Sequence, residues 1–492
     1  MTETLDPAAG RLHDLDPQDW IAFRAQCRQA LDDMIDFIST VRDRPVWTEP
    51  ASKARATFRQ TMPLSGKPVT ELLEIFDRDI KPYATGNLHP AFMGWVHGAG
   101  TPVGMLADML AAGLNMNCGG RNHIGIDVER QIGAWMSGAF DFPATADGLF
   151  VTGTSQANFM GVLLARQHAL PSVRPDGLLK DRLCGYAAAG AHGCIAQAFE
   201  MAGIGSANLR QVPCDHNGAM RIDALERLVA RDRQAGRTPF LVVGTAGSVD
   251  IGAIDPLADI AALASRERLW FHVDGAFGAL GIFSSRIKPL LAGIDQADSI
   301  AFDFHKWGHV PYDAGYLLAR DRNALLGTFA GPHGYLCRAD SGLAAGGIWP
   351  CDMGPDLSRG FRALKTWFTL QTFGTAGIAD MIDKSCDLAG LLERKIAASA
   401  NFELAAPVQL NIVCFRPTGV NAGSASRRLV ELLHDSGVAA PSVTVLDGEP
   451  TIRCAINNHR TQIADIDRFI VHLEAGHRVL IDDPLARRAC SA

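Results

Sequence analysis

Four short segments of the sequence carry side chains that could do chemistry together, and the first is a turn that could hold an anion. Thr154 and Ser155 follow Gly153 where a strand is predicted to end and a helix to begin. Free backbone N–H groups and the positive end of the helix dipole make such a turn a cradle for a phosphate. A hydroxyl at this position is also an ordinary helix N-cap, so the segment alone leaves both interpretations open.

The second segment places a carboxylate at the end of a buried strand. Residues Leu269–Val273 are mostly apolar, and Asp274 follows them directly. Ligands of open α/β sheets bind outside the carboxyl ends of the strands. A carboxylate at such an end needs a positive partner, because burying an unpaired charge is costly. A helix N-cap or a structural ion pair would explain a single aspartate equally well.

The remaining two segments add an amine and imidazoles. His305 and Lys306 follow the predicted strand Ile300–Phe304. Most lysines are solvated, but burial at a strand end lowers the pKa of a lysine and frees its amine as a nucleophile, which a Schiff base requires. His192 follows the predicted strand Leu183–Ala188 and precedes a helix. It would therefore be the fourth group delivered to one edge of one sheet.

A single cofactor accounts for all four segments. Pyridoxal phosphate needs an anion cradle, an acid beside its ring nitrogen, a lysine for its aldehyde and a flat group against its ring. The alternative is a serine hydrolase, because residues 153–157 resemble a nucleophile elbow. In that interpretation Ser155 is the nucleophile and Asp274 and His305 complete the triad, but Lys306 has no role.

A large parallel sheet would be needed to bring these groups together. From residue 86 to 375, short apolar strands alternate with amphipathic helices, which predicts a mostly parallel sheet with helices on both faces. Residues 1–85 predict a helical arm, since Trp20 and Phe23 begin a helix-like apolar spacing. Residues 376–492 predict a smaller α/β domain with a mixed sheet. The fold class predicted is therefore α/β.

Composition excludes several classes of protein. The 492 residues are 47% hydrophobic and 20% charged with a net charge of −7, which is a globular balance without the basic excess of nucleic-acid binders. No apolar run reaches about 18 residues, so no membrane span is expected, and the N-terminus lacks the apolar segment of a secretory signal. Eleven cysteines without a CxxC pair predict reduced thiols in a cytoplasmic protein, with neither disulfides nor a metal site.

Longer motifs agree with one known family. They are His272–Gly278, Asp298–Trp307, Val310–Asp313, Gly153–Asn158, Leu106–Leu110, Arg362–Phe368 and Leu410–Arg416. Together they resemble the group II pyridoxal-phosphate-dependent decarboxylases, which include the aromatic-L-amino-acid, glutamate and histidine decarboxylases. The resemblance runs from about residue 70 to about residue 475, and the His-Lys-Trp run after Asp274 is its most specific part.

The resemblance implies a role for each group. Lys306 would form the Schiff base with pyridoxal phosphate, Asp274 would pair with the ring nitrogen, and His192 would stack on the ring. These three would be the catalytic residues. The cofactor-binding residues would be Thr154, Ser155, His192, Asp274, His305 and Lys306. The implied fold is the large aspartate-aminotransferase type, fold type I, built as a homodimer whose N-terminal arm clasps the partner subunit.

The implied reaction is decarboxylation of an L-amino acid to an amine and carbon dioxide through the Lys306 Schiff base and a quinonoid intermediate. An aldehyde synthase, which also deaminates the substrate oxidatively, is the alternative. Aromatic amino-acid decarboxylases protonate the substrate carbon with a loop tyrosine, and the corresponding position here falls at Gly346 or Gly347. Tyr335 and His192 are the candidate acids in its place. The sequence leaves the identity of the amino acid open.

Overall fold

The structure is a computed structural model that describes residues 15–178, 182–331 and 337–482. The helices are α1 (Trp20–Ser39), α2 (Ser52–Thr57), α3 (Val69–Ile75), α4 (Pro102–Leu114), α5 (Ile124–Ala139), α6 (Thr154–Ala169), α7 (Val173–Asp176), α8 (Cys194–Met201), α9 (Ile222–Gln234), α10 (Leu257–Glu267), α11 (Arg322–Phe329), α12 (Arg362–Ala397), α13 (Ala422–Asp435) and α14 (Ile463–Asp482). The strands are β1 (Asp147–Val151), β2 (Leu183–Ala188), β3 (Leu209–Val212), β4 (Thr238–Thr245), β5 (Trp270–Asp274), β6 (Ser299–Asp303), β7 (Gly315–Ala319), β8 (Phe402–Leu404), β9 (Ile412–Pro417), β10 (Ser442–Leu446) and β11 (Glu449–Ala455).

The chain divides into two compact units. One contains Met1–Arg44 and Thr48–Ala84, and the other contains Pro45–Trp47 and Thr85–Ala492. The first unit holds α1, α2 and α3, and Asp19 caps α1 by accepting hydrogen bonds from the first backbone N–H groups of the helix. All strands in the described residues belong to the second unit.

A seven-stranded sheet forms the centre of the second unit, in the order β1-β7-β6-β5-β4-β2-β3. The pairings from β6 through β5, β4 and β2 to β3 are parallel, whereas β7 is antiparallel to both of its neighbours. The α/β class and the mostly parallel sheet predicted from the sequence are therefore confirmed. The strands β3 and β7 were not predicted.

Helices cover both faces of this sheet, as its apolar strands require. Buried side chains of α6, α8 and α11 pack on one face, and those of α5, α9, α10 and α12 contribute to the core on the other. Each face thus excludes water from the strands, so polar side chains reach solvent or ligand only at the strand ends.

The second sheet has the order β10-β11-β9-β8, and every pairing in it is antiparallel. The expectation of a mixed sheet was wrong. A two-residue turn, Asp447-Gly448, joins β10 to β11, and both of its residues have positive φ angles of 53° and 81°. Such a turn matches the twist of two adjacent antiparallel strands and so creates a hairpin.

A buried ion pair joins three segments beneath the large sheet. Arg359 and Glu129 are 3% and 4% exposed, and two guanidinium N–H groups donate to the carboxylate over 2.6 and 3.1 Å. Arg359 also donates to the carbonyls of Cys118 and Phe150, and the Phe150 N–H donates to Glu129. The pair therefore ties α5 and β1 to the segment that precedes α12.

We predict that Glu129→Gln destabilises the protein by about 3–5 kcal/mol, because it leaves the Arg359 charge buried without a counterion. The measurement is the free energy of unfolding in urea. The matched control is Glu431→Gln, which breaks the exposed Arg428–Glu431 pair and should cost less than about 1 kcal/mol. Equal losses in the two variants would show that the buried pair does not stabilise the fold.

Candidate active site

The strand ends of the large sheet meet at one edge. In the register of the sheet, Thr245 lies beside Asp274, and both Val151 and Asp303 lie beside Gly315. A cavity of about 390 Å³ opens at this edge. Its lining includes all six residues predicted from the sequence, which are Thr154, Ser155, His192, Asp274, His305 and Lys306. The parallel topology thus brings together residues that are up to about 150 positions apart in the chain.

The turn that the sequence predicts to hold an anion lies where β1 leads into α6. The backbone N–H of Thr154 donates to Oδ1 of Asp303 over 2.7 Å, while the buried Thr154 hydroxyl has no hydrogen-bond partner within the described chain. The turn packs directly on β7, since a Cβ on Gly315 would lie 2.4 Å from the Cα of Gly153. The small residues at both positions allow this close approach and aim the start of α6 into the cavity.

Asp303 is a site residue that the sequence interpretation missed. It is 2% exposed at the end of β6, and its Oδ2 lies 3.1 Å from Nζ of Lys306. The same oxygen lies 3.5 Å from Nε2 of His305, whose Nδ1 accepts a hydrogen bond from the N–H of Ala314. Asp303 therefore holds both the amine and the imidazole that follow it.

Asp274 is buried at the end of β5, with an exposure of 4%. Burial raises the pKa of its carboxyl group, and the opposing influences are the charge of Lys306, the N–H of Ala276, His192 and a hydrogen bond from Asn158. The Ala276 N–H donates to Oδ1 over 3.2 Å. The positive charge expected near Asp274 is therefore that of Lys306. The direct ion pair of Lys306 is with Asp303.

His192 lies in the turn between β2 and α8 and lines the cavity. Its Nδ1 accepts a hydrogen bond of 3.1 Å from the backbone N–H of Cys194, which fixes the ring near the start of α8. The Cys194 thiol also lines the cavity, and burial raises its pKa to about 12, so it is protonated at neutral pH.

Aromatic rings form one wall of the cavity. Phe92, Trp95 and His97 pack against one another, and the centroid of His97 lies 5.7 Å from that of Phe92 and 5.8 Å from that of Trp95. His97 also meets Tyr312 edge-on at 6.0 Å. Tyr312 in turn packs on His305 at 4.3 Å. Burial and the charge of Lys306 lower the pKa of His97, so its imidazole is neutral at pH 7. Tyr312 lies in the motif Val310–Asp313, for which the sequence predicted no site residue.

The segment that carries this wall is held by a polar loop from the end of the chain. Asn457 donates to the carbonyl of His97, and Asn458 donates to the carbonyls of Asn87 and His89. Thr461 donates to the carbonyl of Pro90. We call residues 457–461 the carbonyl clamp, because their side chains fix the backbone of the wall.

The hydrolase interpretation is not supported by this geometry. Ser155 lines the cavity, but within the described residues its hydroxyl makes no hydrogen bond to His305 or His192. His305 faces Asp303, whereas the triad would need it beside Asp274. A nucleophile, a base and an orienting acid are therefore not assembled.

Comparison with known proteins decides the family. Residues 51–418, more than half of the chain, match the Pyridoxal-dependent decarboxylase conserved domain. The chain belongs to the pyridoxal-dependent decarboxylase family. The resemblance drawn from the motifs is thus confirmed, and the protein is a lyase that uses pyridoxal phosphate.

Curated members of this family match nearly the whole chain. Aromatic-L-amino-acid decarboxylase of Bacillus atrophaeus is 30% identical over 461 residues, covering 91% of this chain and 94% of the relative. Phenylacetaldehyde synthase of Arabidopsis thaliana is 26% identical over 467 residues, covering 91% and 94%. The family thus includes both an enzyme named as a decarboxylase and one named as an aldehyde synthase.

Solved structures of this family have the same fold. The crystal structure of Oryza sativa TDC with PLP and tryptamine superposes with a TM-score of 0.88 at 23% identity, covering 95% of this chain and 100% of that one. The predicted fold type I is therefore confirmed.

The residues in the cavity fit the family's cofactor. The unpartnered, buried Thr154 hydroxyl and the start of the 16-residue helix α6 suit a phosphate, and a buried carboxylate and an amine line the same cavity. In the described residues, no cluster of His, Cys, Asp or Glu is arranged to hold a metal ion, and none of the helices there has the length and apolar character to cross a bilayer. Tyr335, a candidate acid, lies outside the described residues.

Proposed function

We propose that the enzyme converts an L-amino acid into the corresponding amine and carbon dioxide in the cavity at the edge of the large sheet. The observation that carries this proposal is that an amine, a buried carboxylate and a helix N-terminus line one cavity at Lys306, Asp274 and Thr154. Bound pyridoxal phosphate supplies an electron sink for the bond to the departing carboxylate.

The roles of the chain's own residues follow from their positions. Lys306 is the amine that holds the cofactor, and Asp303, 3.1 Å away, keeps it aimed into the cavity. Asp274 pairs with the ring nitrogen and retains a proton there, since a carboxylate surrounded by protein interacts strongly with a nearby cation. His192 supplies the flat group against the ring.

The remaining predicted residues would hold the phosphate. Thr154 and Ser155 offer hydroxyls and backbone N–H groups at the start of α6. His305 lies next to them through its contact with Asp303. The buried hydroxyl of Thr154 supports this assignment, because such a group is stabilised by gaining a partner.

Aromatic L-amino acids are the substrate class we propose. Trp95, His97 and Tyr312 provide flat faces, and Lys306 is the single lysine or arginine side chain among the described residues of the lining. A substrate with an acidic side chain would therefore lack a second cation. The name of the Bacillus atrophaeus relative supports the same class. The test is a panel of amino acids on which amine, aldehyde, carbon dioxide and peroxide are all quantified.

An aldehyde synthase is the second candidate. By the resemblance, the position of the loop tyrosine of related decarboxylases falls at Gly346 or Gly347, and these glycines have positive φ angles of 103° and 72°. A phenol does line the cavity, but it comes from Tyr312 on the loop after Lys306. Stoichiometric aldehyde and peroxide in the panel would establish this candidate in place of the first.

We predict that Tyr312→Phe slows amine formation by about 10²-fold and raises the share of aldehyde and peroxide. The hydroxyl accepts a hydrogen bond from Gly98, and burial raises the pKa of Tyr312 to about 12, so its proton is retained for delivery to the substrate carbon. Tyr335→Phe is the parallel variant and tests the loop tyrosine in the same assay. Unchanged rate and product ratio in Tyr312→Phe would leave this tyrosine as a packing residue.

We also propose that the enzyme is a cytoplasmic homodimer. One face of α4 leaves Leu106, Met109, Leu110 and Leu114 between 41% and 57% exposed, which is an apolar stripe that a second copy would cover. The described cysteines are all free, in keeping with a reducing compartment. Light scattering of the purified protein tests the dimer, and Met109→Glu with Leu110→Glu should yield monomers.

The domain limits predicted from the sequence remain part of this proposal. Residues 1–85 would form the arm, 86–375 the cofactor domain and 376–492 the small domain. The position of Gly374 supports the second limit, because its φ of 64° and ψ of 173° interrupt the helical backbone inside α12.

A further inference from the structure

A chain of buried hydrogen bonds runs from the interior of the large sheet to the cavity. The indole N–H of Trp270 donates to Oγ of Ser299 over 2.9 Å, and Oγ of Ser299 lies 2.8 Å from Nδ1 of His272. Nε2 of His272 lies 2.8 Å from Oδ1 of Asn158. The amide of Asn158 then donates to Asp274 and to the Cys194 thiol.

The Asn158 end of the chain fixes the direction of its bonds. The NH₂ group of Asn158 donates to Sγ of Cys194 and to Asp274, so its oxygen Oδ1 faces Nε2 of His272. An amide oxygen can only accept, so Nε2 carries the proton of the neutral imidazole and Nδ1 is left as an acceptor. The hydroxyl of Ser299 accepts from the indole N–H of Trp270 and donates its own proton to Nδ1.

The sequence builds this chain by placing two residues on the same face of β5. His272 and Asp274 are two residues apart, so both side chains face α6, which carries Asn158. Gly161, one turn further along α6, makes room for the imidazole, because a Cβ there would lie 2.6 Å from Cε1 of His272. His272, Asn158 and Ser299 are each 0% exposed, so no water competes for these bonds.

We propose that Asn158, locked in this orientation by His272, is a positioning residue that keeps Asp274 ionised beside the ring nitrogen of the cofactor. The inference rests on the proposed pairing of Asp274 with that nitrogen. If the amide turned over, its oxygen would face the carboxylate and repel the charge. The His272 imidazole prevents this, since it offers Asn158 a donor and no acceptor.

The orientation of the Asn158 amide should not change with pH near neutrality, because His272 does not become protonated there. Burial lowers the pKa of His272 to about 3, so the ring remains neutral wherever the enzyme is folded and active. The second amide hydrogen is occupied by Sγ of Cys194 over 3.3 Å. Every polar atom of the Asn158 side chain is thus engaged in one orientation.

The test compares two ligands in five proteins. The ligands are pyridoxal phosphate and its deaza analogue, in which CH replaces the ring nitrogen, and the readout is the dissociation constant of each. The proteins are the wild type, Asn158→Leu, His272→Leu, His272→Gln and Asp274→Ala. Binding of the analogue does not depend on an ionised Asp274, so a purely structural defect would weaken both ligands equally.

We expect the wild type to bind pyridoxal phosphate more tightly than the analogue, and both leucine variants to lose about tenfold of this preference. His272→Gln should restore the preference, because its amide can again donate to Asn158. Leucine variants that keep the full preference would overturn the inference. A wild type without any preference would instead contradict the pairing of Asp274 with the ring nitrogen, so the two failures are distinguishable.

A measurement on the unmutated holoenzyme keeps the inference falsifiable if the leucine variants do not fold. Nitrogen-15 NMR of histidine-labelled protein reports which ring nitrogen carries the proton. We expect His272 to be neutral and protonated on Nε2 from pH 6 to pH 9. A proton on Nδ1 would reverse the chain and overturn the inference.

Discussion

Lys306→Ala is expected to abolish decarboxylation and to leave a colourless protein that no longer holds pyridoxal phosphate through a borohydride-reducible bond. Lys306 lies just after β6, and its amine contacts Asp303. No other lysine lines the cavity among the described residues. Covalent catalysis requires an amine at this point, and neither a methyl group nor water replaces it. Absorbance, borohydride labelling with peptide mapping, and carbon dioxide release measure the three effects.

Two controls separate the amine from its charge. Lys306→Arg keeps a cation near Asp303 but cannot form the covalent bond, so it should be as inactive as Lys306→Ala. Lys365 is a buried lysine outside the cavity, where Asp108 and the carbonyl of Tyr312 bind its amine, and it should carry no label. A reduced label on Lys365, or retained activity in either Lys306 variant, would contradict the assignment.

Asp274→Ala is expected to lower kcat by about 10²-fold or more with the fold retained. The change removes the anion that we propose to pair with the ring nitrogen, and about several kcal/mol of transition-state stabilisation should be lost with it. The side chain ends a strand and receives one backbone N–H, from Ala276, so its removal disturbs little packing. Steady-state kinetics measure the loss, and circular dichroism checks the fold.

The matched control for Asp274 is another largely buried aspartate of the same sheet. Asp298 accepts a hydrogen bond from the N–H of Phe271 just before β6, at the opposite edge of the sheet from the cavity. Asp298→Asn should affect stability and leave kcat nearly unchanged. A comparable loss of kcat in both variants, or near-normal turnover in Asp274→Ala, would show that the ring nitrogen has a different partner.

The convergence of Thr154, His192, Asp274 and Lys306 could be predicted from the sequence because of one geometric rule. Side chains that follow parallel strands emerge at the same edge of a sheet. Applying this rule requires only the order of strands and helices along the chain, and that order can be predicted from apolar runs and glycine-rich turns. The rule does not need the register of the strands, and for that reason the prediction was possible without the structure.

Distances within the site could not be predicted, because they depend on that register. Asp303 was indistinguishable from any polar residue at a strand end, yet the antiparallel β7 places it beside Gly315 and within reach of Lys306. The run Gly315–Ala319 contains no turn signal that separates it from the preceding loop. Tyr312 was missed for the same reason, since its ring packs on His305 only after β7 has folded back.

The antiparallel arrangement of the small sheet was, in contrast, detectable. The Asp447-Gly448 pair between two alternating segments is a strong hairpin signal. A hairpin prediction also needs a strand on each side of the turn, and the sequence analysis predicts none at Ser442–Leu446. This strand is only partly buried, and its sequence SVTVL alternates polar and apolar residues only from Ser442 to Val445.

The carbonyl clamp can form only late in the synthesis of the chain at the ribosome. The donor of the bond from Asn457 to His97 is synthesised 360 residues after its acceptor. All residues proposed to hold the cofactor have left the ribosome before the clamp exists, since the last of them is Lys306. Contacts of such long sequence separation form late in folding. A chain that stops before Asn457 would therefore contain every residue proposed to hold the cofactor, but the backbone of the aromatic wall would lack the hydrogen bonds of the carbonyl clamp.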